Sequence, residues 1–330
     1  MNSTIEWYRT PLEPILLKQL NQRSDAKGAF QAGGHLAIII TTGGVCILCW
    51  LQSWWVAMVG ALFVHGTVSA FTINAMHELL HNTVFRSRRL NTIFAKIYAF
   101  IGWHNPYQFW GSHSEHHKFT LHPPDDLEVT LPETFTVHDF LITAFINLPW
   151  LLSEPKLHWE FSQGRFTSAW NRHCFPDTDP VRQGKVIWWS RCLLLGHSAI
   201  LVGGVMTGYW IIPVILSIVP LYGAWLFFLC NNTQHCGLVD KVADFRLCAR
   251  SFNLNPVVAF LYWHMNFHIE HHMYSAVPCY NLAGLNRRIS YDLPPAPYGL
   301  LAVWRQIGRI IQRQRQDPDY QYVQSTPRRD

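Results

Sequence analysis

The stretch HLAIIITTGGVCILCWLQSWWVAMVGALFVHGTVSAFTINAM, residues 35–76, decides the fold. It runs for 42 residues without Asp, Glu, Lys or Arg. Because a helix needs about 20 apolar residues to cross the core of a bilayer, this stretch is long enough to cross twice. The more polar WLQSWW at 50–55 lies near its middle and marks a turn. The stretch therefore predicts a hairpin of two membrane-spanning helices, near 35–51 and 54–76.

A second uncharged stretch, residues 192–230, is 39 residues long and has TGYWIIP at 207–213 near its middle. It predicts a second hairpin, with spans near 187–207 and 210–230. The alternative is a soluble protein with two buried hairpins, but buried soluble helices rarely run this long without charge. Composition agrees with a membrane protein, since 14% of the residues are charged against about 25% in soluble domains.

The basic residues are distributed unevenly along the chain. Every Lys and Arg except Arg191 falls in residues 1–34, 77–185 or 231–330. Two hairpins place these three segments on one side of the membrane, and the positive-inside rule makes that side the cytoplasm. We therefore predict a multi-pass protein of a bacterial inner membrane or the endoplasmic reticulum, with both termini cytoplasmic.

These features predict an all-α integral membrane protein with four transmembrane helices and a cytoplasmic helical cap. The predicted parts are an amphipathic N-terminal segment at 1–34, a membrane domain at 35–304 and a basic cytoplasmic tail at 305–330. Residues 139–153 are apolar but too short to span readily, so we predict an interfacial or re-entrant helix there. Cys46 and Cys49 form a CxxC inside a predicted span, where core packing is expected, and the other six cysteines are scattered, so no disulfide framework is indicated.

Histidines recur in four motifs on the predicted cytoplasmic side. HELLH and NNTQHCG stand at the ends of the second and fourth spans, HSEHH lies between the hairpins, and HIEHH follows the fourth span. Spacings of three and four residues place side chains on one face of a helix. A solvated polar helix or a pH-sensitive cluster would explain one motif, but not its repetition. The motifs contain nine histidines: His77, His81, His113, His116, His117, His235, His268, His271 and His272.

Nine imidazoles on one membrane face exceed the four ligands that one zinc ion uses. Two metal ions with four or five ligands each fit the number better. Imidazole suits iron, zinc, copper and nickel, so the donor type alone does not choose the metal.

Acidic residues accompany the histidines. Glu78, Glu115 and Glu270 each stand next to a histidine, and Asp125 and Asp126 follow the second motif. Carboxylates that accept a hydrogen bond from a ligating ring orient it and raise its basicity, which predicts this role for all five. The alternative for each is a charge that merely solvates its helix.

HELLH, HSEHH and HIEHH together resemble the three histidine boxes of the membrane fatty acid desaturase and hydroxylase superfamily. The likeness covers roughly residues 35–290. HHMYSAVPCYNL at 271–282 resembles the continuation found in acyl-lipid desaturases, and NNTQHCG resembles an Asn-x-x-x-His element shared with membrane alkane hydroxylases. The resemblance implies two iron ions, with His235 as a direct ligand, Asn231 holding a metal-bound water, and O2 as co-substrate.

The resemblance implies an O2-dependent desaturase that introduces a double bond into a lipid acyl chain, with no catalytic side chain beyond the metal centre. A membrane hydroxylase acting on a lipid or alkyl substrate is the first alternative, and a non-enzymatic membrane metal-binding protein is the second. The chain has no HPGG haem motif and no soluble CxxC pair. Electrons must therefore come from a separate ferredoxin, rubredoxin or cytochrome b5 type of carrier. Membrane lipids are expected partners and nucleic acids are not.

Overall fold

The computed structural model describes residues 4–133 and 135–327, which are predominantly helical and contain no strand beyond isolated bridges. The predicted all-α class is confirmed. The helices in chain order are α1 Pro14–Leu20, α2 Asp25–Leu51, α3 Trp55–Leu80, α4 Arg88–Ile101, α5 Pro106–Phe119, α6 Val137–Ala144, α7 Leu148–Ser162, α8 Ala169–Cys174, α9 Pro180–Thr207, α10 Ile211–Leu216, α11 Trp225–Asn231, α12 Phe245–Cys248, α13 Pro256–Leu261, α14 His268–Met273, α15 Cys279–Ile289 and α16 Gly299–Gln314.

Three helices, α2, α3 and α9, are long and apolar enough to cross a membrane. They coincide with the first three predicted spans and extend them. The Ser24 side chain caps α2 by accepting from the Lys27 amide, and Asp179 caps α9 in the same way at the Arg182 amide. Gly208, at a φ of 76°, ends α9 in the left-handed conformation that glycine adopts without steric cost.

The predicted fourth span, 210–230, is not one helix. The chain forms α10, a short 3-10 turn at Val219–Leu221, and then α11. Pro220 in the turn has no amide proton to donate to a helix, and Gly223 has a φ of 80°. A Cβ atom on Gly223 would lie 2.6 Å from the backbone of Gly66 in α3. The backbones therefore approach closely where a continuous helix was expected, and four continuous spans are not formed.

Three histidines inside the apolar helices serve packing. His65 in α3 hydrogen-bonds Thr42 of α2 at 2.9 Å and the Ile215 carbonyl of α10 at 3.0 Å. His35 and His197 bond the carbonyls of Val68 and Phe100 respectively. These contacts satisfy the imidazoles away from water, as buried polar groups require, and tie neighbouring helices together.

The apolar segment at 139–153 forms parts of two helices, α6 and α7, rather than one. The break coincides with Ile146, which pairs with Tyr222 in an isolated bridge. Leu148 and Leu152 remain exposed on α7. The segment therefore exposes apolar side chains, as an interfacial segment would. Its depth in a bilayer remains a prediction.

The terminal segments pack against other parts of the chain. Thr10 Oγ1 donates to Asp292 at 2.7 Å, and Gln324 Nε2 donates to the carbonyl oxygens of Arg246 and Ala249. The predicted boundaries at 34/35 and 304/305 fall inside α2 and α16. Residues 1–3 and 328–330 of the predicted terminal segments lie outside the described residues.

Candidate metal centre

All nine histidines of the four motifs come together in two groups. Within each group, one ring nitrogen per residue lies within 4.8 Å of the others. The five-histidine cluster is His77, His81, His113, His117 and His271, and the four-histidine cluster is His116, His235, His268 and His272. Each cluster draws on α5 and α14.

Helical periodicity divides the motifs between the clusters. On α5, His113 and His117 are four residues apart and share a face, while His116 points to the other cluster. On α14, His268 and His272 share a face and His271 points away. The expectation that each three-histidine motif presents a single face is therefore wrong, because each motif contributes histidines to both clusters.

His235 reaches its cluster from a turn. Helix α11 ends at Asn231, so the expected i, i+4 pair of Asn231 and His235 does not share a helix. Arg250, fully buried, donates from its guanidinium to the carbonyl oxygens of Thr233 and Cys236 on either side of His235. His235 Nδ1 bonds the Cys248 carbonyl at 2.7 Å. Sequence reasoning missed Arg250, since nothing in its neighbourhood distinguishes it from a surface arginine.

The ring nitrogens of different histidines face each other at hydrogen-bond distance. The Nε2 atoms of His77 and His113 are 2.7 Å apart, and those of His235 and His268 are 2.9 Å apart. In His113 and His235 the Nδ1 proton is committed to another acceptor. The Nε2 atoms of His113 and His235 are then acceptors, and each directs a lone pair into its cluster. This donor set fits metal ions that accept imidazole.

Asp126 holds one ring of the four-histidine cluster. Its Oδ2 lies 2.8 Å from Nδ1 of His116 and also accepts from the Leu121 amide. Burial opposes charge on both groups, yet the contact raises the pKa of His116 and lowers that of Asp126. The pair leaves His116 Nε2 directed at the cluster.

Glu128 contacts a ring of the five-histidine cluster, as Asp126 does in the four-histidine cluster. Its Oε1 lies 2.7 Å from Nδ1 of His113, and its Oε2 accepts from Ser112 at 2.5 Å. Sequence reasoning missed Glu128, although it stands two residues beyond Asp126. Burial first, and then neighbouring histidines, lower the pKa of His113 and His117 well below the usual value. Their rings are therefore neutral, as metal ligation requires.

Glu78 lies between two rings of the five-histidine cluster. Its Oε1 is 3.2 Å from Nδ1 of His77 and 3.3 Å from Nδ1 of His271. These rings come from α3 and α14, so one buried carboxylate stands at the junction of two helices.

The other predicted acidic residues have different surroundings. Glu115 pairs with Lys118 at 2.7 Å, and Asp125 is exposed. Glu270 is buried but accepts from Ser251 at 2.5 Å and from Asn286. On α14, Glu270 therefore fixes the helix against its neighbours, because its side chain leaves the helix on a face away from the clusters.

A cavity of about 370 Å³ adjoins both clusters, at His77 and His113 on one side and His116 and His268 on the other. Asn231 lines it. The sequence suggests an aromatic lining for a substrate pocket, with ordinary packing as the alternative. The candidate residues stand just before HSEHH and are Trp103, Tyr107, Phe109 and Trp110. Of these, Phe109 lines the cavity, and Trp110 packs edge-on against His81.

The fold and the two clusters together define an all-helical membrane protein with a candidate two-metal centre. A model of the family described as Fatty acid desaturase matches residues 53–303, well over half of the chain, so the chain belongs to this family. No curated protein matches the chain. Family membership indicates an oxidoreductase of the desaturase or hydroxylase type, with an acyl lipid as substrate and membrane lipids around it.

Proposed function

We propose that this chain is an O2-dependent desaturase that introduces a double bond into a lipid acyl chain at a di-iron centre. The observation that supports the proposal most is the pair of adjacent all-histidine clusters that share α5 and α14. A single zinc ion would use about four of these imidazoles and leave the others buried without a role.

Each iron has its own ligands in this proposal. The five-histidine cluster holds one iron, and the four-histidine cluster holds the other. Asn231, which lines the adjoining cavity, holds a water that completes the second set. When bound, the iron pair would supply the O2 chemistry that no side chain provides.

In this proposal the protein's own carboxylates orient the ligating rings. Asp126 and Glu128 contact the Nδ1 atoms of His116 and His113, which directs the Nε2 atoms of both rings at the clusters. Such outer partners fix the tautomer and the orientation of a ligating ring. Seven of the nine histidines are buried, and His81 and His117 are half-buried. This burial limits the access of water and thereby limits side reactions of an oxidised metal.

Desaturation removes two hydrogens from adjacent carbons and reduces O2 to two waters, which requires two further electrons and two protons. A separate carrier of the ferredoxin, rubredoxin or cytochrome b5 type supplies the electrons in this proposal. Both termini and both clusters belong to the segments that contain all the basic residues except Arg191. In this proposal these segments are cytoplasmic, following the positive-inside rule.

Hydroxylation is the second candidate, since NNTQHCG at 231–237 resembles an element of membrane alkane hydroxylases. Expression in a host with a simple fatty acid composition, followed by mass spectrometry of its lipids, separates the two. Desaturation removes two hydrogens from a lipid and hydroxylation adds one oxygen. Unchanged lipids together with one zinc per purified chain would instead favour a metal-binding protein without enzymatic activity.

A further inference from the structure

Two cavities away from the histidine clusters meet at Lys27, in the first turn of the long apolar helix α2. The basic cavity has a volume of about 620 Å³ and lies between α1, the turn that follows it, and α15. The apolar groove has a volume of about 830 Å³ and lies between α2 and α13. Because Lys27 lines both, they are adjoining parts of one surface.

The basic cavity has four exposed cations in its lining, Arg23, Lys27, Arg287 and Arg288. No Asp or Glu is among its described lining residues. The ion pairs that the described lysines and arginines form with carboxylates all involve other residues. Asp25, which stands close to Lys27 in sequence, accepts from the Ser87 amide at 3.0 Å. Like charges gathered in one place repel one another, so this cavity favours an anion.

Hydrogen bonds hold the walls of the basic cavity together. Asn281 of α15 donates to the Leu20 carbonyl at 2.8 Å and accepts from Lys27 Nζ at 3.4 Å. The Tyr280 hydroxyl accepts from the Ser24 amide at 2.9 Å. The Tyr280 ring lies 5.3 Å from Lys27 Nζ, which is within the range of a cation–π contact. The cations therefore stand on a fixed junction between α15 and the start of α2.

The apolar groove continues from Lys27 along one face of α2. Its apolar lining includes Phe30 and Ile38 of α2 and Val257 and Phe260 of α13. Phe30 is 74% exposed and Val257 is 70% exposed, so this surface faces outward. A helix rises about 1.5 Å per residue, which gives about 16 Å from Lys27 to Ile38. This length matches half of a hydrocarbon core of about 30 Å, as an acyl chain in one leaflet requires.

We infer that an anionic phospholipid binds here, with its phosphate in the basic cavity and an acyl chain in the apolar groove. The four cations complement the head group, and the adjoining groove favours a lipid over a free phosphate. Basic clusters beside a spanning helix attract anionic lipids. This lipid is a ligand and not the substrate, because neither space shares a described lining residue with the cavity beside the histidine clusters. The inference does not rest on the proposed function.

Native mass spectrometry of the full chain in detergent tests the inference by counting bound molecules. The probes are dioctanoyl phosphatidylglycerol, dioctanoyl phosphatidylcholine, which has the same chains on a zwitterionic head group, and glycerol phosphate, which has no chains. We expect phosphatidylglycerol to bind about ten-fold or more tightly than either of the others. Equal binding of phosphatidylcholine would overturn the inference. Equal binding of glycerol phosphate would identify a site for free phosphate and would also overturn it.

A double variant, Arg287→Gln with Arg288→Gln, removes two cations from the basic cavity. It should lower the affinity for phosphatidylglycerol about ten-fold and leave that for phosphatidylcholine unchanged. The matched control is Arg305→Gln with Arg309→Gln, which removes the same charge from exposed positions on α16 outside both spaces. It should keep the wild-type affinity. An equal loss in the control would show attraction to the total charge of the protein and would refute the site.

Val257→Asn tests the apolar groove at an exposed position, where the fold tolerates a polar side chain. An amide beside the acyl chain loses water without gaining a partner, so phosphatidylglycerol should bind about five-fold more weakly. Leu301→Asn is the control, since Leu301 is 65% exposed on α16 and outside the groove. Unchanged affinity in the Val257 variant, or the same loss in both variants, would overturn the placement of the chain along α2.

Discussion

Glu128 Oε1 lies 2.7 Å from Nδ1 of His113, and this contact joins the chain after α5 to the five-histidine cluster. Two residues earlier, Asp126 makes the equivalent contact with His116 of the four-histidine cluster. One short segment therefore orients a ring in each cluster. Disturbing this segment should affect both proposed irons.

Replacing Glu128 by Gln should lower iron affinity or turnover about 10- to 100-fold, because loss of the charged acceptor weakens control of the His113 ring. Asp126→Asn should have an effect of similar size at the other cluster. Iron per chain and initial rate measure the outcome. Glu115→Gln is the control, since Glu115 pairs with Lys118. Equal activity of the Glu128 and Glu115 variants would refute the assigned role of Glu128.

His235→Ala should abolish turnover and reduce the iron content, because it removes a proposed direct ligand. Asn231→Ala should lower turnover more than it lowers iron, because Asn231 is proposed to act through a water. The measurement is activity per bound iron for the two variants side by side. Normal specific activity in both would remove the two residues from the site.

Arg250→Met should destabilise the turn that carries His235. The substitution leaves the buried carbonyl oxygens of Thr233 and Cys236 without their donor, at a cost of about 1–3 kcal/mol for each. We expect a lower thermal midpoint and preferential loss of iron from the four-histidine cluster. Arg305→Met, at an exposed position, should change neither. Full iron occupancy in the Arg250 variant would show that the turn holds its shape without the guanidinium.

Removing the metal should lower the thermal midpoint by more than about 5 °C. Tight binding stabilises the folded state by about 4 kcal/mol when the free metal is a thousand times its Kd, and without metal the clustered imidazoles lose the partner proposed for them. Chelation followed by a melting curve, and then by iron addition, checks this. An unchanged midpoint in the chelated protein argues against a structural contribution from metal.

Cysteines introduced at Gln52 and Thr207 should react with an impermeant thiol reagent in intact cells, once the native cysteines are replaced. Both positions are exposed at the ends of apolar helices and belong to the predicted outer loops. A cysteine at Asp125, also exposed, should stay unlabelled until the cells are opened. Labelling at Asp125 alone in intact cells would reverse the proposed orientation.

Features that depend on neighbours in sequence were predictable. Uncharged stretches longer than a bilayer requires predicted α2, α3 and α9, because hydrophobic length is a local property. The spacing of the histidine motifs predicted that nine imidazoles meet. The fourth span was not predicted correctly, since hydropathy carries no record of the close approach between Gly223 and Gly66 that interrupts it.

The sequence by itself determined an apolar helical scaffold and the set of nine histidines. The tertiary structure alone decided how that set divides into five and four, because the division depends on where α5 and α14 stand relative to α3. The tertiary structure also decided which carboxylates contact the histidines. Glu78 contacts His271 from a distant part of the chain, while Glu270 beside that histidine contacts Ser251 and Asn286. Proximity along the chain does not set the direction of a side chain, whereas the packing of helices does.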